Sequence, residues 1–477
     1  MSMSQADASC AGTRAVPSDL HAASVARALS NAAAHPEAAR LALLARRDHA
    51  ALAEARARDA LLCAGVAPPP LAGATLGVKA CFDVAGWVTH AGSRVLAGAP
   101  PAPRDAAIVQ ALRHAGATLL AQNNMTEFAY GALGLNRWHG TPLTPLMADA
   151  PRVAGGSSSG GAVAVALGMA TLALGSDTSG SARIPAAFCG VAGFKPSRGR
   201  YPDAGMAYLS PSFDVPGILA PDAAACLRVD RALVDEPEHD GMARPTSHRH
   251  ASGVTDVAEA AGAGADDDAW RAGAGYPVLV LPEDLLDALD APVRQAFEAW
   301  MERMRAAGFT LRRQVLPCLA QAAQAAREGG IIAAEAYMLH RERLARGGED
   351  YDPRVGPRML LGAQVPAHAY ASALARLREL RWGYQQGLGE AAGVLTPTVP
   401  MLPPAIAGLE ADDAYLQANA RAFSLTEFAN RLDLPSVSLP GDLRARRPIG
   451  LMLTGRGGDD RRVLKLAVAM ERVLNRP

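Results

Sequence analysis

The segment GSDTSGSARIPAAFCG, residues 175–190, decides how the chain folds and where its chemistry sits. Its first seven residues are Gly, Ser, Thr and Asp only, whereas an ordinary turn uses two or three residues of this kind. Directly before it runs AVAVALGMATLAL, residues 162–174. A short Gly/Ala-rich helix is predicted over about 160–167, then a buried strand, TLALG, that delivers the chain into GSDTSGS. The helix has almost no large side chains, so it must pack very closely against its neighbours. The chain thus leaves a buried strand through hydroxyls and φ-permissive residues, the makings of either a long loop or a reaction site.

Two other segments bear on that choice. LGVKACFDVAG, residues 76–86, places Lys79 in an apolar, strand-like stretch, and AGGSSSGGA, residues 154–162, opens the Gly/Ala helix. Serine is a weak nucleophile until a base takes its proton. A desolvated lysine gives up its charge, so Lys79 could serve as that base. The Gly/Ser loop could supply a relaying hydroxyl. Successive N–H groups in the third loop could converge on an oxyanion, each donor worth about 3 kcal/mol. Taken singly, the segments stay open to plainer readings. Lys79 could snorkel from a strand end. GGSSSGG could be a linker or a phosphate cradle, although it lacks the GK[ST] ending of a P-loop. GSDTSGS alone could be a turn-rich loop.

Order and spacing together are more specific. The chain resembles the amidase signature family of serine hydrolases, whose pattern runs from a GVKD strand through GGSSxGS to GTDTGGSIRIPAAxCG. NNMTEFAYGALGLNRWHGTP, VLTPTVP and FANRLDLPSVSLPGD…PIGLMLTG also resemble the family. The likeness is strong over about 70–225 and looser elsewhere. It implies an α/β amidase-signature fold, a large central mixed β-sheet flanked by helices with a helical cap region. It also implies a Ser-Ser-Lys triad: Ser181 the nucleophile, Ser157 the bridging serine on a cis peptide bond, and Lys79 the base. Backbone N–H groups of Thr178, Ser179, Gly180 and Ser181 would line the oxyanion hole. Ser158 and Ser159 would support the site, and Asp177 and Arg183 would pin the loop. Three positions depart from the pattern: Ala80 for Asp, Ala154 for Pro, and Ser179 for Gly. Ser179 is tolerable only if its φ stays negative or it accepts strain.

Working outward, 477 residues favour two or three domains, with one large α/β unit carrying insertions as the alternative. Residues 1–70 read as an N-terminal helical region, the helical pattern covering 17–65. Residues 71–234 read as the signature core. Residues 235–275, rich in Gly, Ala, Asp and His, read as a loop insertion, and 276–392 as a strand plus helical cap. The remainder, 393–477, completes the sheet and ends in a helix over 459–474. Further helices are expected over 105–115 (Asp105 as N-cap), near 293–308, and over about 318–346 and 366–392. Strands are expected at ATLLA, YPVLVLP, VLTPT, SVSLP and IGLML.

Composition narrows the functional classes. Zero formal net charge argues against a general nucleic-acid or membrane-surface binder. The first thirty residues lack a basic-then-apolar signal, and no apolar run reaches the roughly 20 residues of a membrane span. The chain therefore reads as cytoplasmic. Its six cysteines are scattered without metal spacing, Cys189 reads as packing, and His239, His248 and His250 read as loop residues. No metal and no cofactor are expected. The only lysines are Lys79, Lys195 and Lys465, so each invites a chemical reading. The leading expectation is a small-molecule amidase, with no nucleic-acid or membrane partner and a homodimer left open. The alternatives are the glutaminase subunit of a tRNA-dependent amidotransferase and a catalytically degenerate amidase-like binding protein. AEAYMLHRERLARGGEDYDPRV, in the cap, lacks the run usual in that subunit.

Overall fold

The computed structural model describes residues 17–236, 276–441 and 447–475. The loop insertion expected over 235–275, its three histidines and Cys10 lie almost wholly outside them.

Eleven strands form one mixed sheet: β1 (Leu43–Arg46), β2 (Thr75–Lys79), β3 (Thr118–Asn123), β4 (Leu172–Asp177), β5 (Ala192–Lys195), β6 (Val215–Ala220), β7 (Val278–Pro282), β8 (Thr310–Gln314), β9 (Gly393–Pro397), β10 (Ser436–Pro440) and β11 (Gly450–Thr454). Their order is β1-β3-β2-β4-β6-β5-β10-β11-β9-β7-β8. β2 runs parallel to β3 and β4, whereas β4, β6, β5, β10, β11 and β9 alternate antiparallel. Every residue of β2, β3, β4, β6, β9, β10 and β11 is buried. Such strands read as continuous apolar runs because both faces are covered. The late strands β10 and β11 fill the centre, joining the early half of the sheet to β9, β7 and β8.

Helices cover the faces. Pro317–Glu328 and Ala367–Leu388 place Leu319, Ala322, Leu377 and Tyr384 in one cluster with Val280, Val394 and Met452 of the sheet. The terminal helix Asp460–Leu474 buries Val463, Leu464, Ala467 and Met470. Val293, Phe297, Trp300 and Met304 are likewise buried on helix Ala291–Ala306.

The helical reading of 17–65 requires correction. Helices Leu20–Ala34, Pro36–Ala42 and Asp48–Cys63 are interrupted by β1. Proline disfavours helical geometry in the residue before it, and His35 takes φ −128° and ψ 63°. At Leu43–Arg46 pairing overrides propensity: β1 runs antiparallel to β3, Asn124 N–H donates to Ala42 O (2.9 Å) and Arg47 N–H to Leu120 O (3.0 Å). Two smaller differences follow the same logic. Asp105 does not cap its helix; it accepts Ala85 N–H and pairs with Arg113. The helix expected over 318–346 breaks at Gly330, whose φ of 58° is left-handed.

The Gly/Ala helix packs as its composition requires. It spans Ser159–Ala166, and a Cβ on Gly160 would collide with Ala42 O and stand 2.5 Å from Asn124 N. That approach brings the helix N-terminus, with its three serines, against the ends of β2 and β4.

Candidate active site

β2 and β4 are parallel neighbours, so Lys79 and Asp177 end their strands at the same edge of the sheet. Lys79 is buried, and its Nζ lies 2.7 Å from Ser157 Oγ and 2.8 Å from Ser176 Oγ. Burial drives its pKa below the ordinary lysine value; Cys81 and the carboxylates of Asp214 and Asp177 pull the other way without prevailing. The Gly156–Ser157 peptide bond is cis. Ser157 O accepts the N–H of Thr126 (3.1 Å), while Ser158 N–H donates to Ser181 O (3.1 Å) and ties the two serine loops side by side. Ser158 Oγ reaches Ser176 O at 3.3 Å. The hydroxyls of Ser181 and Ser159 are buried, and among the described residues neither has a hydrogen-bond partner.

The turn after β4 is fixed from behind. Asp177 accepts Gly180 N–H (2.7 Å), Ala182 N–H (3.1 Å) and both prongs of the buried Arg183 guanidinium (2.9 and 3.0 Å). Burial opposes the charge on Asp177, but Arg183 and the Ala182 N–H outweigh it and hold the carboxyl well below the usual range. Arg183 continues to Thr426 O and Asn430 Oδ1, and it begins a helix over Arg183–Cys189 that no local sequence period marks. The C-cap of that helix is Gly190, at φ 69°.

Of the four N–H groups assigned to the oxyanion hole, Gly180 must be withdrawn, because its N–H is directed at Asp177. Those of Thr178, Ser179 and Ser181 donate to no acceptor among the described residues. Ser179 is absent from the residues with positive φ; Gly180 takes that geometry at 134°. Ser179 thus occupies a glycine position without left-handed backbone. Ala80 and Ala154, the other departures, are buried in apolar clusters. Cys189 is buried, its Sγ 3.5 Å from Ala154 O, with burial raising its thiol pKa, which suits packing.

Several contributors emerge only from the structure. Ser176, inside the quoted block, gives Lys79 a second hydroxyl contact; its position at the end of β4, beside β2, is the signal that could have found it. Asp214 accepts Thr178 Oγ–H (2.5 Å) and the N–H groups of Leu209 and Ser210, and burial pushes its pKa up to about 6. Thr426, Asn430 and Arg431 also reach the turn, from far along the chain. Among the described residues no group of three or more His, Cys, Asp or Glu could hold a metal ion, and no helix is long and apolar enough to cross a membrane.

A buried lysine between hydroxyls, beside a turn with free N–H groups, belongs to a class of α/β enzymes that hydrolyse carbon–nitrogen bonds, and comparison with known proteins agrees. Residues 24–464 match the Amidase family model, and the chain belongs to that family. It is 31% identical over 423 residues to the 2-amino-5-chloromuconic acid deaminase of Comamonas testosteroni, covering 88% of this chain and 86% of that protein. It is 32% identical over 432 residues to a glutamyl-tRNA(Gln) amidotransferase subunit of Halobacterium salinarum, covering 85% of this chain and 97% of that one. A crystal structure of an amidase superposes with a TM-score of 0.79 at 31% identity, covering 95% of this chain and 96% of that one.

Proposed function

We propose that the protein hydrolyses the amide bond of a small molecule to a carboxylate and ammonia or an amine through an acyl-enzyme on Ser181. The contact that carries this reading is Lys79 Nζ to Ser157 Oγ, 2.7 Å. The Ser158 N–H to Ser181 O bond ties the nucleophile's loop to it. The buried Ser181 hydroxyl, which does not hydrogen-bond Ser157 in this structure, would close that last link as the relay operates. Neutral Lys79 takes the Ser157 proton as Ser157 takes that of Ser181. Ser181 Oγ bonds to the amide carbon, and the carbonyl oxygen gains negative charge opposite the N–H groups of Thr178, Ser179 and Ser181. The relayed proton goes to the nitrogen as the carbon–nitrogen bond breaks. Water then adds to the ester, Lys79 and Ser157 accepting its proton, and the carboxylate leaves while Ser181 regains its hydrogen. Asp177 and Arg183 hold the turn, and Ser158 and Ser159 support the relay loop.

Relatives such as the Halobacterium salinarum protein favour a second reading, the glutaminase subunit of a tRNA-dependent amidotransferase. A panel of small amides and glutamine, read by ammonia release and mass spectrometry, separates the two. Turnover of a non-glutamine amide by the purified chain supports the first. Ammonia from glutamine only with co-purified partner subunits supports the second. Fluorophosphonate labelling that vanishes in Ser181→Ala tests the nucleophile; no labelling of the wild type overturns both readings.

A further inference from the structure

The turn after β4 is held by a second buried system besides Asp177 and Arg183. Arg431 is the last residue of the short helix Glu427–Arg431 and is only 4% exposed. Its Nη1 donates to Thr178 O at 3.0 Å and its Nη2 to Ser179 Oγ at 2.8 Å. Beside it, Thr426 Oγ–H donates to Ser179 O at 2.5 Å. The carbonyl of Thr178 shares its peptide plane with the N–H of Ser179, so the grip of Arg431 leaves that N–H facing away from the guanidinium. The carbonyl of Ser179, held by Thr426, shares its plane with the Gly180 N–H that goes to Asp177. A peptide held at its oxygen cannot rotate its N–H freely, since the two lie on opposite edges of one plane.

The charge of Arg431 is compensated along a line leading to the surface. Glu427 accepts Arg431 Nη2 at 3.2 Å and Arg327 Nη1 at 2.6 Å, and Arg327 lies on helix Pro317–Glu328 with its side chain largely exposed. The guanidinium of Arg431 also sits 4.3 Å from the centre of the Phe213 ring, a stacking that limits its plane. Arg is suited to this place because its planar fork can serve two acceptors at fixed angles while keeping its charge.

We infer that Arg431 is a positioning residue of the reaction: it aligns the Thr178–Ser179 peptide so that the Ser179 N–H meets the oxyanion, and the Ser179 hydroxyl is a second handle for the same guanidinium. The inference rests on the reading of this turn as an oxyanion site. Preorganised donors are worth most when they need not move during the reaction, and loss of one such donor slows acyl transfer about 10²–10³-fold. Loosening a donor without deleting it should cost less.

The test uses the full chain and a fluorophosphonate, whose phosphoryl oxygen occupies the oxyanion position as Ser181 is phosphonylated. Arg431→Met alone would leave Glu427 with only the largely exposed Arg327 as a counter-charge, so it is paired with Glu427→Gln; Ser179→Ala, which leaves every charge in place, is the second variant. We expect the double variant to be labelled at least about ten-fold more slowly, to the same final stoichiometry, with an unshifted pH profile because Lys79 is untouched. Arg431→Lys, with one donor aimed at the same carbonyl, should recover part of the rate. Ser179→Ala should fall between wild type and the double variant. On any amide turned over, the loss should appear in kcat with KM little changed. A folded double variant labelled within two-fold of wild type overturns the inference, as does a pH profile that moves. If the double variant does not fold, a wild-type rate in Ser179→Ala overturns it. Failure of wild type itself to be labelled would instead condemn the oxyanion reading on which the inference stands.

Discussion

Asp177 Oδ1 receives the backbone N–H of Gly180 across 2.7 Å while the same oxygen lies 2.9 Å from Arg183 Nη2. One carboxylate thus closes the turn and anchors the helix behind it, with both side chains fully buried. Asp177→Asn would leave Arg183 buried beside a neutral amide, and removing one partner of a buried pair costs about 3–5 kcal/mol. Chemical denaturation should register that loss at pH 7. The depressed pKa of Asp177 means its contribution is full above the ordinary carboxylate pKa of about 3.9 and is lost as pH falls through the lower folded value. The acid limb of the stability profile should therefore be shallower in Asp177→Asn. An unchanged midpoint at pH 7 would sink the anchoring role.

Gly180 is fixed by backbone and by space. At φ 134° it adopts a conformation that side chains rarely take, and a Cβ would overlap Thr426 Oγ and stand 2.7 Å from Thr426 Cβ. Gly180→Ala should lose about 1–3 kcal/mol to backbone strain before any displacement of Thr426 is counted. Displacing Thr426 also breaks its bond to Ser179 O, so fluorophosphonate labelling should slow along with the fall in Tm. Normal stability and normal labelling together would show that the turn relaxes without cost.

The fold and the site are legible in the sequence to different depths. Lys79, the three serines of GGSSSGG and Ser181 each sit inside a short, distinctive run, so the sequence marks them although Lys79 meets Ser157 across 78 residues and Ser176 across 97. Ser176 lies in plain view, but only the pairing of β2 with β4 shows that it faces Lys79. Arg431 and Thr426 are hidden for another reason: they meet Ser179 across roughly 250 residues of chain, and no local period marks a contact of that span. Asp177 reads as a pin, yet its capture of the Gly180 N–H depends on the turn's backbone path. β1 does not show in the sequence because Leu43–Arg46 has helical composition and becomes a strand only through pairing with β3.

Lys79 couples catalysis to stability with a calculable sign. Its folded pKa is lowered, so between that value and the ordinary lysine pKa of about 10.4 the unfolded chain binds more protons than the folded one. Stability then rises with pH through this window, by up to about 1.4 kcal/mol per pH unit for one proton. Lys79→Met removes the titration and should be more stable than wild type at the low end, with the gap narrowing as pH rises. Acylation in the same variant should drop by about 10²–10⁴-fold. Parallel stability profiles for the two proteins would mean that Lys79 keeps an ordinary pKa; unchanged acylation would remove it as the base.

Asp214 offers the complementary test, because it acts on Lys79 and titrates itself. Its carboxylate lies behind the turn, accepting from Thr178 Oγ and from two backbone N–H groups, and burial raises its pKa from 3.8 to about 6. For an acid with a raised folded pKa, the folded state binds more protons, so stability falls as pH climbs from about 4 to about 6. A shift of that size corresponds to a loss on the order of 3 kcal/mol. Asp214→Asn can keep all three hydrogen bonds, its oxygen taking the two N–H groups and its amide donating to Thr178. The variant should therefore lose the decline between pH 4 and 6 without unfolding. Above pH 6 wild-type Asp214 is an anion that favours the ammonium form of Lys79. Its removal should let Lys79 deprotonate more readily, moving the acid limb of the rate profile to lower pH. A limb that stays in place or moves to higher pH would show that Asp214 does not act on the base.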